Sequence, residues 1–120
     1  MTDRPLSPCI DQTPEEIEAY YRTAPVGSPA AVRHTQGHML QYVIRTIEGR
    51  KDRAGRVYVA QDGAFYMKSG KNCFAPTGQT TLVVPTDAVV AWARENPQGA
   101  FGVSTFRPES DPFRPRFGAR

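Results

Sequence analysis

The stretch RVYVAQDGAFYMKSGKNCFAPTGQTTLVVP, Arg56 to Pro85, decides how this chain folds. Three short runs of β-branched and aromatic residues lie in it: Val57-Tyr58-Val59, Phe65-Tyr66-Met67 and Thr80 to Val84. Asp62-Gly63, Ser69-Gly70 and Pro76-Thr77-Gly78 separate them. Strand formers punctuated by turn residues predict an antiparallel meander. Asp-Gly between apolar runs is a strong hairpin signal, so Arg56–Gln61 should pair with Ala64–Lys68. The unbroken Leu82-Val83-Val84 implies a strand covered on both faces. Phe74 is expected to fold back as a plug at the sheet end.

Upstream, His38 to Ile47 (HMLQYVIRTI) fits two periods. As a helix, Met39, Leu40, Val43, Ile44 and Ile47 form a stripe. As a strand, Leu40, Tyr42 and Ile44 share one face and Val43 and Ile47 the other. Tyr42, Val43, Ile44, Thr46 and Ile47 favour the strand. The glycine-bounded Gly49–Gly55 then reads as a hairpin loop into Val57. Val26 to Ala31 reads as a connector with a turn at Gly27-Ser28-Pro29.

Two helices flank the strands. Thr13-Pro14-Glu15-Glu16 has the spacing of a capping box with proline in the first turn, and Ile17, Tyr20 and Tyr21 supply an apolar face. Pro25 ends that helix. Thr86 caps a second helix that carries Val89, Val90, Trp92 and Ala93 and stops at Asn96-Pro97. Gly99–Phe106 suits a short edge strand. The expected fold class is α+β: a small antiparallel sheet, an N-terminal helix, and a helix after the last main strand. The sheet either curls in an SH3-like way, which removes exposed edges, or stays flat with both helices on one face.

With 120 residues the chain is long enough for one domain with its own core. Prolines crowd both ends. Residues 1–12 therefore read as a flexible arm, 13–106 as the domain, and 107–120 as an extended basic and aromatic tail. The net charge of +3 is unevenly placed. Residues 1–35 hold three arginines against five carboxylates, 36–100 eight basic against five acidic groups, and 101–120 four arginines against two carboxylates. That balance permits a polyanionic partner without the strong stripe of a dedicated nucleic-acid binder. Two distant cysteines, Cys9 and Cys73, make no disulfide framework and suit a reduced, cytoplasmic setting. No apolar run has membrane-spanning length.

No stretch carries a specific catalytic, cofactor or metal motif. His34 and His38 stand four apart, but Gly37 intervenes and no glutamate completes an HExxH pattern. Ser69-Gly70-Lys71-Asn72 lacks the ending of a phosphate-binding P-loop. Cys73 lies near Lys71 without a histidine neighbour in sequence, and a structural cysteine beside Phe74 is the simpler reading. A metal-independent ribonuclease would use His34 and His38 as base and acid, with Arg56 and Lys68 or Lys71 on the developing charge.

The best basic cluster is Arg50, Lys51, Arg53 and Arg56, with Tyr58 and other tyrosines (Tyr42, Tyr66) on adjacent strands offering stacking surface. Phe113, Arg114, Arg116 and Phe117 in the tail are of the residue types that anchor interfaces. The expected function is a small non-enzymatic binding protein, an adaptor or inhibitor, gripping an intracellular protein through these residues. Nucleic-acid binding by the Arg50–Arg56 loop is the alternative, and a ribonuclease the third reading. No cofactor and no membrane contact is expected, and nothing in the sequence sets an oligomeric state.

Overall fold

The computed structural model describes residues 6–74 and 80–103. Helix α1 (Pro14–Thr23) leads into strands β1 (Pro29–Gln36), β2 (Met39–Lys51), β3 (Arg56–Val59), β4 (Gly63–Tyr66) and β5 (Thr80–Val83). Helix α2 (Asp87–Glu95) and the short strand β6 (Ala100–Phe101) follow. All strand pairings are antiparallel, in the order β4-β3-β2-β1-β5, with β6 added beside β2. The fold is a small α+β domain whose sheet curls into a half-barrel of SH3-like form. Isolated bridges from Phe65 to Asn72 and from Lys71 to Thr81 let one short segment span the gap between the outer strands. These bridges partly join the edges of β4 and β5.

His38–Ile47 belongs to a strand from Met39 onward, as its β-branched content predicts. Leu40, Tyr42 and Ile44 do share one face and Ile47 the opposite one. The helical stripe loses because β1 pairs with β2 along its whole length, from Pro29↔Thr46 to Gln36↔Met39. One central strand departs from the expected connector. Residues Pro29–Gln36 form β1, which lies between β2 and β5. Ala30-Ala31 has little strand propensity, yet both residues are fully buried. Ala30 faces the barrel interior and Ala31 the outer layer.

Loop boundaries also shift. β2 runs through Arg50 and Lys51, so the β2–β3 turn is Asp52–Gly55, and a register shift between Ile47 and Gly49 absorbs Glu48. Val59 pairs with Gly63, so Asp62 ends the β3–β4 turn and Gly63 opens β4. The β1–β2 hairpin turns on Gly37-His38, with Gln36 paired to Met39. Gly37 has φ of 60°, the left-handed backbone a two-residue hairpin needs at its first central position.

Two apolar clusters hold the layers. Inside the curl, Val32, Ile47, Val57, Val59, Phe65, Met67 and Leu82 pack against Tyr21 and Ala24 of α1. Outside, Ala31, Leu40, Tyr42 and Val83 pack under Val89 and Trp92 of α2. Leu82 and Val83 thus face opposite cores, as the unbroken apolar run implied. Thr13 closes its capping box with Glu16, and Thr86 accepts from the Val89 amide at 3.3 Å. The Tyr21 hydroxyl donates to the Val83 carbonyl at 2.5 Å and accepts from the Ala31 amide at 3.1 Å, bridging β5 and β1. Burial pushes the Tyr21 phenol well above its ordinary value.

Residues 7–12, expected to belong to a flexible arm, lie against the outer layer. Ser7 and Cys9 are buried, and the Tyr42 hydroxyl contacts the Ser7 hydroxyl at 2.5 Å and the Cys9 sulfur at 2.8 Å. The Gln12 side-chain amide pairs with both the amide and the carbonyl of Val84, at 2.7 and 2.9 Å. It satisfies two backbone groups of the chain leaving β5. Phe74 is no plug; it is 84% exposed. Both cysteines are free thiols, and Cys73 is half-buried. Among the described residues no helix is long and apolar enough to cross a membrane.

Candidate functional site

The curl leaves the outer face of β3 and β4 uncovered, and register decides which side chains stand on it. Val57, Val59 and Phe65 point inward, so Arg56, Tyr58 and Tyr66 point outward. Lys51 pairs with Arg56, and Arg56 with Tyr66, giving one row across three strands. Tyr58 lies two residues along β3 from Arg56, on the same face. The Lys51 ammonium sits 6.0 Å from the centre of the Tyr58 ring, and the Arg56 guanidinium 6.0 Å from that of Tyr66. These are cation–π contacts at the outer limit of range. Both tyrosines are half-buried beside these charges.

A hollow of 720 Å³ adjoins this row. Tyr66 lines it, together with Arg53 of the β2–β3 turn, Lys68 and Lys71 after β4, and Arg22 of α1. Asp52 is its sole carboxylate among the described residues. Arg22 is paired with Glu18 at 2.7 Å, whereas Arg53, Lys68 and Lys71 have no ion-pair partner among the described residues. Unpaired exposed cations around one concavity raise the local concentration of anions. The row and the hollow meet at Tyr66.

The residues singled out from sequence fall into four groups. Lys51, Arg53, Arg56 and Tyr58 belong to this surface. Arg50 points the other way: its guanidinium donates to the carbonyl of Ala24, the C-cap of α1, and lies 3.5 Å from Asp52. A cation on a helix C-terminus suits the helix dipole, so Arg50 pins α1 to β2. Phe113, Arg114, Arg116 and Phe117 lie outside the described residues. Tyr42 is buried beneath Trp92, the rings 5.3 Å apart and edge to face, so it offers no stacking surface. Burial, with the neighbouring Cys9 sulfur adding to it, raises its phenol well above the usual tyrosine range.

The histidines and lysines of the ribonuclease reading are not gathered in one hollow. His34 lies in β1 opposite Gln41 and Thr80, with its Nε2 buried and unpartnered. His38 is exposed in the β1–β2 turn. Neither lines the hollow that holds Lys68 and Lys71. Among the described residues no three His, Cys, Asp or Glu side chains are grouped to hold a metal ion. Sequence reasoning did not connect Arg22 with the site. It sits in the last turn of α1, and only the packing of that helix brings it beside a turn far along the chain.

Compared with known proteins, the chain matches no family model, no curated protein and no solved structure.

Proposed function

We propose that this protein is a non-enzymatic binding module for single-stranded nucleic acid, held on the outer face of β3 and β4. The observation behind this reading is the alternation of Lys51, Arg56, Tyr58 and Tyr66 on one exposed face, continued by the cationic hollow. Unstacked bases lie on aromatic faces while cations follow the phosphates, and neither contact depends on sequence. A duplex would hide the base faces that the tyrosines offer. An adaptor role toward a protein is favoured by a different surface, the open edge of β2.

The test is fluorescence anisotropy with labelled 12-nucleotide DNA and RNA strands across a salt series. Lys51, Arg53, Arg56, Lys68 and Lys71 engaging phosphates would give a log–log salt slope of about −3 to −4, from about 0.7 per cation on single strands. Lys68→Glu with Lys71→Glu should flatten that slope by more than one unit. Tyr58→Ala or Tyr66→Ala should weaken binding by ~1–3 kcal/mol per stacked base while leaving the slope alone. No binding at low salt, or undiminished binding by both tyrosine variants, refutes the proposal.

A further inference from the structure

The sheet has a second unoccupied feature, on β2 itself. On the side away from β1, β2 pairs with β6 only at Met39 and Leu40 and with β3 only from Ile47 onward. Between these, no strand pairs with residues 41–45 on that side among the described residues. The direction of the backbone groups follows from the bonds at the end of the gap. The Ile47 amide donates to Ser28 and its carbonyl accepts from Gly27, both toward β1, whereas the Thr46 carbonyl accepts from Ala60 on the opposite side. Alternation then aims the N–H and C=O of Tyr42 and Ile44 into the gap.

The gap is a groove of 570 Å³, lined by Gln41 to Arg45 on one side and by α2 on the other. Val90, Ala93 and Arg94 of α2, at i, i+3 and i+4, form its helical wall, with Pro97 beyond the C-cap Asn96 also lining it. Ala93 also packs with Trp92 against the outer cluster, of which Val90 and Arg94 are not members. Five residues of strand edge span about 13 Å at roughly 3.3 Å each. Arg94 is exposed, with no ion-pair partner among the described residues, while Arg45 is paired with Asp62 at 2.8 Å.

We infer that this groove is a docking site for an extended acidic peptide of a partner protein, added as a strand between β6 and β3. The backbone groups of Tyr42 and Ile44 supply the ladder. Val90, Ala93 and Ile44 form the apolar wall for alternate side chains, and Arg94 at the rim selects a carboxylate. Strand addition of this kind draws its affinity from main-chain bonds and its specificity from the pockets beside them. The site is separate from the Lys51–Tyr66 face and does not depend on it.

The probe is a fluorescein-labelled octapeptide alternating valine and glutamate. Its binding to the full chain is followed by anisotropy and by amide NMR. The expected result is shifted and exchange-protected amides at Tyr42 and Ile44. The same peptide N-methylated at its valines should bind more than tenfold more weakly, having lost at least two main-chain bonds. Arg94→Glu should weaken the unmodified peptide about threefold, as an exposed ion pair does. Equal binding by the N-methylated peptide overturns the inference, as do shifts confined to Lys51, Tyr58 and Tyr66, or no response at millimolar peptide. Protection of the same amides without peptide also overturns it. Concentration-dependent protection would assign the groove to a second copy, and protection lost on ending the chain at Val103 would assign it to the chain's own C-terminal segment.

Discussion

Replacing Tyr21 by phenylalanine removes one oxygen atom and two hydrogen bonds to a backbone pair, Ala31 and Val83, that stay register partners in the β1–β5 ladder. The hydroxyl accepts from Ala31 at 3.1 Å and donates to Val83 at 2.5 Å, and these residues are 0% and 3% exposed. The phenyl ring would fill the same space in the inner cluster, so packing is held nearly constant. Each hydrogen bond lost is worth ~0.5–1.5 kcal/mol net while the ladder keeps both backbone groups paired. Some of that is returned because the phenol no longer has to leave water, for a net loss of about 1–2 kcal/mol. The whole domain has roughly 5–15 kcal/mol to lose. With a urea dependence of about 1–3 kcal/mol/M, the unfolding midpoint should fall by roughly 0.5–1 M at unchanged slope. Tyr20→Phe is the control. That hydroxyl donates to the Pro29 carbonyl at 2.6 Å in an exposed position and should cost about 1 kcal/mol or less. Urea unfolding followed by tryptophan fluorescence and circular dichroism measures both. Should Tyr21→Phe match the parent within error, β1 and β5 close on each other unaided, and the bridging role assigned to the hydroxyl is wrong.

Alkaline unfolding follows from the same residue. Burial raises the folded-state phenols of Tyr21 and Tyr42, while unfolded tyrosine ionises near pH ~10. Above that pH the unfolded chain holds fewer protons than the native one, so stability should fall by up to ~1.4 kcal/mol per pH unit for each phenol. Urea midpoints from pH 8 to 11 should show this loss beginning near pH ~10, with a shallower decline in Tyr21→Phe; a flat profile contradicts it. Gly70→Ala should destabilise by more than ~1–2 kcal/mol, the cost of left-handed backbone alone. Gly70 has φ of 73°, and an added Cβ would lie 2.8 Å from the Leu82 carbonyl oxygen. Gly27→Ala, at φ of 96° with open space around it, should show the strain without the clash, and equal midpoints for the two would refute the distinction.

How far the sequence reveals this architecture depends on where each signal resides. Local chemistry announces both helices: Thr13 and Thr86 cap them, and prolines or Asn96 end them. The β3–β4 hairpin is equally plain, because Asp62-Gly63 divides two runs of strand formers. β1 is hidden because its conformation is imposed by its neighbours. Ala30 and Ala31 are buried in opposite layers and have little strand propensity, and Pro29 looks like a turn until it is seen to begin a strand. The exposed face of β3 and β4 was half legible: Lys51, Arg56 and Tyr58 stand out by type, whereas Tyr42 resembles them in sequence and is buried by α2. Arg22 and the gap along β2 have no local signature at all, since both arise from which elements become neighbours.

The unequal covering of the sheet has a further consequence. Ala30, Ala31 and Val32 of β1, Leu40 and Tyr42 of β2, and Leu82 and Val83 of β5 are buried in one layer or the other, so packing fixes them. β3 and β4 answer to one core only. Of their outward residues Ala64 is buried, but Arg56, Tyr58 and Tyr66 belong to neither layer and can be redesigned without disturbing either. A laboratory wishing to graft a new recognition patch onto this scaffold would write it there and keep the buried positions as an unaltered chassis.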